Sequence, residues 1–533
     1  MRHPVRCRLP AIPTFLSALL LFLCTQSALA EAILNRGNGA EPQSLDPQIS
    51  TGVSSSHIQR DLFEGLVAED QDAKVIPGTA SAWTVSDDGK TYTFTLRDNA
   101  RWTNGDPVTA ADFVYTYRRA VDPATGTSYS FLLYPIENAE AIAAGEKQPD
   151  TLGVKALDEH TLEIRLVGST PYFLQLLTHP VASPVHQKTV EQYGDQWTMP
   201  EHMVSNGPFK LTEWVPQGHI TVVKSDSYWD KEAVKLDKVV FYPTSDLAAE
   251  LKAFQAGELD YTYSVPKEQI NYIRENLGEQ LHILPYLSTY YYALNTTRPP
   301  FDNADLRRAF SLALNRKLVT ERVTNAGEIP AFSFVTEGVD GYQPVYLDFK
   351  DKAYEERVAE AQALYEKAGY GADKPLTVEL LYNTSEDHKR VGLAIAGTWK
   401  RVFPGLTVNL VNEEWKVYLE SRKDKARTQI IRAGWVGDYN DANTFLELWK
   451  SNSGLNNTGF SSPAFDQALK QAGQENDPAK REALLQQAER ELLDSNSILP
   501  IYYYVTAHLI NPAFKGLNGN VMDHTPDKQV SRE

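Results

Sequence analysis

Residues 91–119 read TYTFTLRDNARWTNGDPVTAADFVYTYRR and carry the clearest local signals in the chain. Thr91–Leu96 alternates polar and apolar side chains, which predicts a half-buried strand. Residues 104–107 combine asparagine, glycine, aspartate and proline, which favour a turn. Thr109 is placed to cap a helix that continues through Arg119. The stretch therefore predicts a strand, a turn and a capped helix in succession.

Similar patterns recur along the rest of the chain. Strands are predicted at residues 161–166, 235–242, 281–287, 290–295 and 377–382. Helices are predicted at residues 54–66 with serines as the cap, at 354–368, and at 478–493 with Asp477 as the cap. These elements alternate without the strict rhythm of one doubly wound sheet. The fold class predicted is therefore α/β, in the form of several mixed α+β lobes.

Residues 1–30 have the pattern of a secretory signal peptide. A basic region contains Arg2, Arg6 and Arg8. An apolar run follows over residues 15–24, and residues 28–30 (Ala-Leu-Ala) form a small-x-small cleavage site. The apolar run is far shorter than the ~20 residues that a membrane-spanning helix needs. The sequence therefore predicts an exported, soluble protein.

The composition of the remaining chain limits what it does. Removing residues 1–30 from 533 leaves 503, and the loss of three arginines takes the formal charge from −17 to −20. Both cysteines, Cys7 and Cys24, lie in the removed segment, so stability must come from apolar cores. At ~150 residues per domain, this length predicts about three domains. The acidic balance argues against nucleic acid and anionic membranes as partners.

Residues 432–440, RAGWVGDYN, place a cation, a carboxylate and two aromatic rings close together. Asp438 suits an ammonium group and Arg432 suits a carboxylate. Trp435 and Tyr439 suit apolar surface. A buried strand end whose charges pair with each other would produce the same pattern. The stretch alone leaves both interpretations open.

Signatures of a secreted hydrolase are missing from the sequence. Residues 459–463, GFSSP, lack the second glycine of a nucleophile elbow. There is no His-Glu-x-x-His motif, no mature cysteine and no glycine-rich phosphate loop. The prolines between His179 and His186 interrupt any helix that would align the two rings. The sequence predicts a protein that is not an enzyme and holds no metal or cofactor.

Short motifs of a known family occur in the family's order along the mature chain. They are LRDNARWTNGDPVTAADFVY at 96–115, DLFEGL at 61–66, NGPF at 206–209, YW at 228–229, and PF at 300–301 leading to RRA at 307–309. The chain thereby resembles the solute-binding proteins of ABC peptide importers, the peptide/nickel family 5. LLYNTS at 380–385, YYY at 290–292 and PIYYYV at 500–505 are similar to its oligopeptide and murein-peptide branch.

The resemblance implies a three-lobed periplasmic protein of the Venus-flytrap type. Lobe I would comprise residues 31–63, 188–289 and 506–533, lobe II residues 64–187, and lobe III residues 290–505. A peptide would be enclosed between lobes I and III and paired through its backbone as an added strand. Backbone pairing with roomy, wet side-chain pockets explains how such proteins tolerate varied sequences.

The resemblance also implies which residues contact the ligand. Asp438 falls on the position that receives the ligand's α-ammonium. Arg432 and His388 fall on positions that face its carboxylate end, although His388 also fits an exposed position near a helix start. The positions that line side-chain pockets fall on Trp415, Trp435, Tyr129 and Tyr504.

The chain departs from the oligopeptide branch at a few positions. Thr51 stands where that branch often has an acidic residue, so this position does not supply a second carboxylate near the ligand's ammonium. Gln343 stands where it has a lysine, which removes a cation suited to the shortest ligands. The family's cysteine pair falls on Ser288 and Val436, and the loss of both partners together supports the alignment.

The resemblance implies a monomeric receptor that delivers short peptides to an ABC permease and its ATPases. Thr51 and Gln343 leave room for a specialised receptor for murein tripeptide, in which Arg432 would take an acidic side chain. Receptors for nickel chelates, haem or opines are more distant, because the ammonium-site aspartate is intact. A periplasmic peptidase or a chaperone-like protein is the alternative from a different functional class.

Overall fold

The computed structural model describes Met1, residues 31–413 and residues 417–533, with the backbone alone for residues 415 and 416. Residues 32–533 form one compact unit, and residues 1–31 form a separate one, of which Met1 and Glu31 are described. The rest of the predicted signal peptide lies outside the described residues. Among the described helices, none combines the length and apolar character needed to cross a membrane.

The strands are numbered in chain order. They are β1 (Ile33–Gly37), β2 (Val67–Glu69), β3 (Val75–Pro77), β4 (Ala80–Val85), β5 (Thr91–Leu96), β6 (Val154–Ala156), β7 (Thr161–Arg165), β8 (Phe209–Val215), β9 (His219–Lys224), β10 (Lys238–Tyr242), β11 (Leu281–Leu294), β12 (Ile329–Pro330), β13 (Leu376–Asn383), β14 (Leu406–Glu413), β15 (Ile430–Val436), β16 (Ile498–Leu509), β17 (Phe514–Lys515) and β18 (Ser531–Arg532).

The helices are numbered in the same way. They are α1 (Val53–Leu62), α2 (Ala110–Val121), α3 (Ala139–Ala143), α4 (Phe173–Leu176), α5 (Gln187–Tyr193), α6 (Leu247–Gln255), α7 (Ile270–Asn276), α8 (Ala304–Leu312), α9 (Arg316–Leu318), α10 (Tyr354–Lys367), α11 (Glu386–Val402), α12 (Trp415–Ser421), α13 (Asn443–Leu446), α14 (Pro463–Ala472) and α15 (Pro478–Asp494). A π-helical turn, Val319–Thr324, continues α9.

Sheets of four, four and six strands organise the compact unit. Their strand orders are β1-β10-β9-β8, β4-β5-β7-β6 and β12-β16-β11-β15-β13-β14. Each sheet packs on its own cluster of buried apolar side chains. The first sheet lies in the predicted lobe I and the second in lobe II, whereas the third lies mostly in lobe III. The exact lobe boundaries stay a prediction.

The stretch that opened the sequence analysis folds as predicted. Strand β5 has the predicted bounds, and Gly105 makes the turn with a φ of 93°. Thr109 caps α2, and its backbone N–H donates to Asp112 Oδ2 at 2.8 Å, completing a capping box. The other predicted strands outside residues 281–295, and the helices after residues 353 and 477, are also confirmed with small shifts at their ends.

Two local predictions were wrong. Helix α1 begins at Val53, so its cap is Gly52 and the serines lie within the first turn rather than capping it. The strands predicted at 281–287 and 290–295 form one strand, β11. In the sequence, the polar pair Ser288 and Thr289 suggests that the strand is interrupted. Both hydroxyls donate to backbone carbonyls, at 2.7 and 2.8 Å, and this allows the strand to continue through them while buried.

Strands β11 and β16 pair with each other from one end to the other. The pairing runs from Leu281 opposite Leu509 to Ala293 opposite Ile498, with register shifts between Pro285 and Thr289 and between Tyr290 and Tyr291. The predicted boundaries between lobes I and III, at residues 289/290 and 505/506, both fall inside these strands. The two strands are therefore the continuous connection between the regions assigned to those lobes.

A buried ion pair fixes the C-terminal segment. Arg36 in β1 is 1% exposed, and its Nη1 donates to Asp527 Oδ1 at 2.7 Å. Its Nη2 donates to Thr525 Oγ1 at 2.8 Å. The backbone N–H of Asp527 donates to Asp61 Oδ1 at 3.2 Å, and burial together with Asp527 raises the pKa of Asp61 well above its usual value. The guanidinium thus pairs with Asp527, and its charge offsets part of the effect of burial on the pKa of Asp61.

Candidate functional site

Strand β15 has one edge that is only partly paired. On one side it pairs with β11 from Ile430 to Val436. On the other side β13 reaches only Ile430 and Ile431. In the described part of the chain, the outer edge of residues 432–436 has no strand beside it. The Arg432 carbonyl accepts a hydrogen bond from the Tyr418 hydroxyl, and the remaining outward backbone groups of this edge can pair with an added extended chain.

One face of β15 carries a polar and aromatic cluster. A Cβ built on Gly434 would lie 3.3 Å from Tyr504 Oη and 3.4 Å from Arg432 Nη2. The missing side chain at Gly434 therefore leaves room for these two groups. Trp435 points to the opposite face, because side chains alternate along a strand.

Arg432 is a buried cation whose partners are neutral. It is 8% exposed, its Nη2 donates to the Tyr504 hydroxyl at 2.8 Å, and its Nη1 donates to Asn383 Oδ1 at 3.3 Å. The guanidinium carbon lies 4.7 Å from the ring centroid of Tyr290. Among the described residues, no carboxylate pairs with Arg432. A buried charge without a counterion is costly, so this position favours an anion.

His388 lies next to this cluster. Its ring centroid is 5.6 Å from that of Tyr290, and its backbone N–H donates to the Ser385 side chain that caps α11. The residue is thus both near a helix start and half-buried. Burial and then the charge of Arg432 lower the pKa of His388 to about 3, so the imidazole is neutral at neutral pH.

Asp438 follows β15 and is a half-buried acid without a cation. Its backbone N–H donates to Thr444 Oγ1 at 3.2 Å. Across residues 31–413 and 417–533, no hydrogen bond or ion pair reaches its carboxylate. Burial and then the charge of Glu447 raise the pKa of Asp438 to about 6. An ammonium group at this position would relieve both effects.

Tyr129 belongs to the same site as Asp438. Its ring packs 4.5 Å from that of His179, and the residue is half-buried. Burial and then the charge of Asp438 raise the pKa of Tyr129. The structure therefore brings Tyr129, Trp435 and Asp438 to one end of β15, and Arg432, His388 and Tyr504 to the other.

The family model for bacterial extracellular solute-binding proteins, family 5, middle region, matches residues 74–457. The chain belongs to this family. The periplasmic oligopeptide-binding protein OppA of Salmonella typhimurium is 41% identical over 489 residues, which are 91% of this chain and 90% of OppA. The periplasmic murein peptide-binding protein MppA of Escherichia coli is 41% identical over 478 residues, 89% of this chain and 88% of MppA.

A solved structure extends the comparison to the whole fold. The unliganded open form of the murein tripeptide-binding protein MppA superposes with a TM-score of 0.86 at 40% identity. The superposition covers 94% of this chain and 98% of that one. The predicted family and the predicted class, an α/β solute-binding protein with lobes, are confirmed.

Thr51 and Gln343, also predicted for the site, lie apart from Arg432 and Asp438, and Trp415 has no described side chain. Thr51 is exposed in the loop before α1. Gln343 is exposed, and its backbone N–H donates to Glu482 of α15 at 2.9 Å. The structure brings neither to Arg432 or Asp438. The side chain of Trp415 lies outside the described residues.

The structure adds residues that the sequence analysis did not assign to the site. Asn383 and Tyr290 lie inside quoted family motifs, which were a usable signal. Tyr418 donates its hydroxyl to the Arg432 carbonyl, and no sequence pattern singled it out. Tyr439, by contrast, is 4% exposed and its ring stacks on Tyr172 at 5.3 Å, so it packs rather than offering free apolar surface.

Ser288 and Val436 are the positions on which the family's cysteine pair falls. They lie directly opposite each other on β11 and β15. Opposed residues in an antiparallel pair have Cα atoms about 4.5–5.5 Å apart, within the range that a disulfide spans. The chain therefore keeps the backbone geometry for a cross-link that its sequence no longer forms.

Introducing both cysteines, Ser288→Cys with Val436→Cys, is expected to form a disulfide during export. The cross-link would stabilise the fold by about 2–4 kcal/mol. Thermal unfolding with and without reductant measures the gain, and each single cysteine variant is the matched control. Two free thiols in the oxidised double variant would show that the positions are not aligned as described.

Proposed function

We propose that this chain is a periplasmic receptor that captures short peptides and delivers them to an ABC permease and its ATPases. The observation that carries the proposal is a carboxylate and a guanidinium at opposite ends of one open strand edge, neither of which has an ion-pair partner among the described residues. Asp438 takes the α-ammonium, and Arg432 with His388 faces the carboxylate end. The outer edge of residues 432–436, apart from the Arg432 carbonyl that Tyr418 already occupies, pairs with the ligand backbone.

The spacing of the two charges makes ligand length important. Arg432 and Asp438 are six residues apart, which is at most about 20 Å in extended chain. Reaching both requires an extended peptide of several residues. A shorter peptide anchored at Asp438 leaves Arg432 to a side-chain carboxylate or to bridging water.

Capture involves closure between lobes with the predicted boundaries: lobe I of residues 31–63, 188–289 and 506–533, lobe II of 64–187, and lobe III of 290–505. Strands β11 and β16 connect lobes I and III and supply the hinge. Similarity to an unliganded open form supports an open cleft in this structure. Thr51 then approaches the ammonium end when a bound peptide favours the closed state.

A receptor specialised for murein tripeptide is the second candidate. Its support is the equal identity, 41%, to OppA of Salmonella typhimurium and to MppA of Escherichia coli. In that case Arg432 binds an acidic side chain of the ligand. Competition between tri-alanine and murein tripeptide separates the two, because a general receptor binds both and a specialised one strongly prefers the second.

The receptor acts as a monomer, does no covalent chemistry and needs no metal or cofactor. Its family consists of solute-binding proteins, and the site offers charges and a strand edge rather than a nucleophile beside a base. Incubating purified protein with tripeptides and analysing the mixture by mass spectrometry tests this point. New cleavage products would favour the peptidase alternative.

Mass spectrometry of small molecules released on denaturing the purified protein tests the proposed function. We expect short peptides with free amino termini. Calorimetry with tri-alanine, after removal of trapped ligand, then gives the affinity. Neither released peptides nor binding of any tripeptide would contradict the proposal.

Arg432→Met is expected to abolish discrimination between free and amidated carboxyl ends. The wild-type protein should prefer the free acid of a peptide long enough to reach Arg432 by about 1.5–3 kcal/mol, the range for a charged hydrogen bond. Calorimetry at pH 8 with matched tetrapeptide acids and amides measures the preference. Arg432→Lys, which keeps the charge but not the planar fork, should retain part of it. An unchanged preference in Arg432→Met would remove Arg432 from the carboxylate site.

A further inference from the structure

We propose that a cavity beside Asp438 makes this receptor select peptides whose first residue has a large apolar side chain. The cavity has a volume of about 660 Å³ and lies between residues 131–176 and residues 435–474. This inference rests on the proposed function, because it assumes that Asp438 holds the α-ammonium of a peptide.

The cavity wall is mainly apolar and aromatic. It includes Tyr172, Trp435, Leu448 and Leu469, with Asp438 at its polar side. Its volume falls within the 300–1,000 Å³ that is usual for small-molecule sites. The cavity is therefore large enough for an aromatic side chain and has the lining to bind one.

Exposed apolar side chains also lie along the cavity. Phe131, Val167 and Leu455 are 46%, 66% and 49% exposed, and all three belong to its lining. Exposed apolar surface gathered in one place marks a binding site more often than scattered residues do. A ligand side chain in the cavity would cover part of this surface.

The walls are held together without a ligand. Tyr172 stacks on Tyr439 with ring centroids 5.3 Å apart. Arg481 donates to both carboxylate oxygens of Asp441 at 2.8 Å, and its guanidinium carbon lies 5.6 Å from the Tyr172 ring centroid. The cavity is thus preformed, so filling it costs little reorganisation.

Asp438 determines which part of a peptide reaches the cavity. An ammonium nitrogen bound to its carboxylate lies about 2.8 Å from an oxygen, which places the first Cα about 4 Å away. The peptide backbone continues along the edge of β15 towards Arg432. The side chain of the first residue is then the ligand group nearest the cavity.

The charged residues of the lining favour an apolar group over a second cation. Glu447 already accepts hydrogen bonds from Tyr439 and Asn443, at 3.0 and 3.2 Å. Lys450 and Lys470 add positive charge to the same lining. A cationic first side chain would lie near two lysines, and the one further acid, Glu447, already accepts two hydrogen bonds.

The test compares Phe-Ala-Ala, Ala-Phe-Ala and Ala-Ala-Ala by calorimetry at pH 8. We expect Phe-Ala-Ala to bind about tenfold to a hundredfold more tightly than Ala-Ala-Ala, the effect of burying one phenylalanine side chain. The gain for Ala-Phe-Ala should be clearly smaller. Equal affinities for Phe-Ala-Ala and Ala-Ala-Ala, or equal gains at both positions, would overturn the inference.

Two glycines allow the cavity to be filled without touching Asp438. Gly168 and Gly473 both belong to the lining. A Cβ on Gly168 meets nothing within 4 Å, and one on Gly473 comes no closer than 3.5 Å to a neighbour. Gly168→Leu and Gly473→Leu should reduce the preference for Phe-Ala-Ala to less than about threefold while Ala-Ala-Ala still binds.

Gly397→Leu on α11 is the matched control, because a Cβ there also meets nothing within 4 Å. It should keep the full preference for Phe-Ala-Ala. A preference that survives both cavity variants would place the first side chain elsewhere. If no tripeptide binds to the wild-type protein, the proposed function itself fails, and this outcome is distinct from binding without a preference.

Discussion

Replacing Asp438 with asparagine is expected to weaken the binding of tri-alanine by about 2–5 kcal/mol, the range for truncating one partner of a buried charge pair. This corresponds to about 30-fold to several thousand-fold in the dissociation constant. The reason is the half-buried carboxylate that has no cation among the described residues. Asparagine keeps the shape and removes the charge, so the ligand's ammonium would be buried against a neutral amide. Calorimetry measures the loss.

Two controls separate ammonium recognition from a general effect. Asp351→Asn changes an exposed carboxylate in the same way and should leave affinity unchanged. Acetylation of the peptide's α-amine should weaken binding to the wild-type protein nearly as much as Asp438→Asn does. Tri-alanine that bound Asp438→Asn with wild-type affinity would remove Asp438 from the site.

The proposed role of Asp438 also predicts how the affinity of the wild-type protein depends on pH. In the ligand-free protein the pKa of Asp438 is raised to about 6, and a bound ammonium would lower it again. Affinity should therefore be highest near pH 7. It should fall as the pH drops through 6, because the ammonium must then displace a proton from Asp438, and it should fall again above about pH 8, where the peptide's α-amine loses its own proton. The pKa of His388, about 3, lies outside this window. Asp438→Asn should abolish the fall in affinity between pH 7 and pH 5.

Arg36→Met is expected to have the largest effect on stability, lowering the free energy of unfolding by about 3–5 kcal/mol. Arg36 and Asp527 are each 1% exposed, and their ion pair is 2.7 Å long. Methionine fills much of the space but leaves the carboxylate of Asp527 buried without its guanidinium. Urea unfolding followed by circular dichroism measures the change.

A surface pair provides the matched control for this effect. Arg165 and Glu137 form an ion pair of 3.0 Å with side chains 56% and 44% exposed, so Arg165→Met should cost less than about 1 kcal/mol. The double variant Arg36→Met with Asp527→Leu removes both charges and should recover much of the loss. An equal loss in the free energy of unfolding for Arg36→Met and Arg165→Met would show that burial of the Arg36–Asp527 pair does not affect its contribution to stability.

Local structure could be predicted from the sequence where neighbouring residues determine it. The alternation in Thr91–Leu96 and the cap at Thr109 depend on side chains a few positions apart, and both were confirmed. The strand break predicted at Ser288 and Thr289 was wrong, because their hydroxyls donate to the carbonyls of Trp435 and Phe334. Such partners are far away in the sequence, and a window of neighbouring residues does not contain them.

The candidate site, like the fold, could be predicted only in part from the sequence. The family resemblance assigned Asp438 and Arg432 to the site, and within residues 31–413 and 417–533 neither side chain has an ion-pair partner. The sequence could not show that Tyr439 stacks on Tyr172 or that β13 leaves β15 unpaired beyond Ile431. Those features depend on how distant segments pack, and the pKa of Asp438 depends on burial that only the folded chain creates.

The open edge of β15 has a consequence for the solubility of the empty protein. An unpaired strand edge can add a strand from any source, including another copy of the same chain, and is therefore a route to aggregation. In the described part of the chain the unpaired edge is limited to residues 432–436, and Arg432 contributes a charge to it. A peptide bound along this edge as proposed would occupy those backbone groups and would therefore also protect the receptor from self-association.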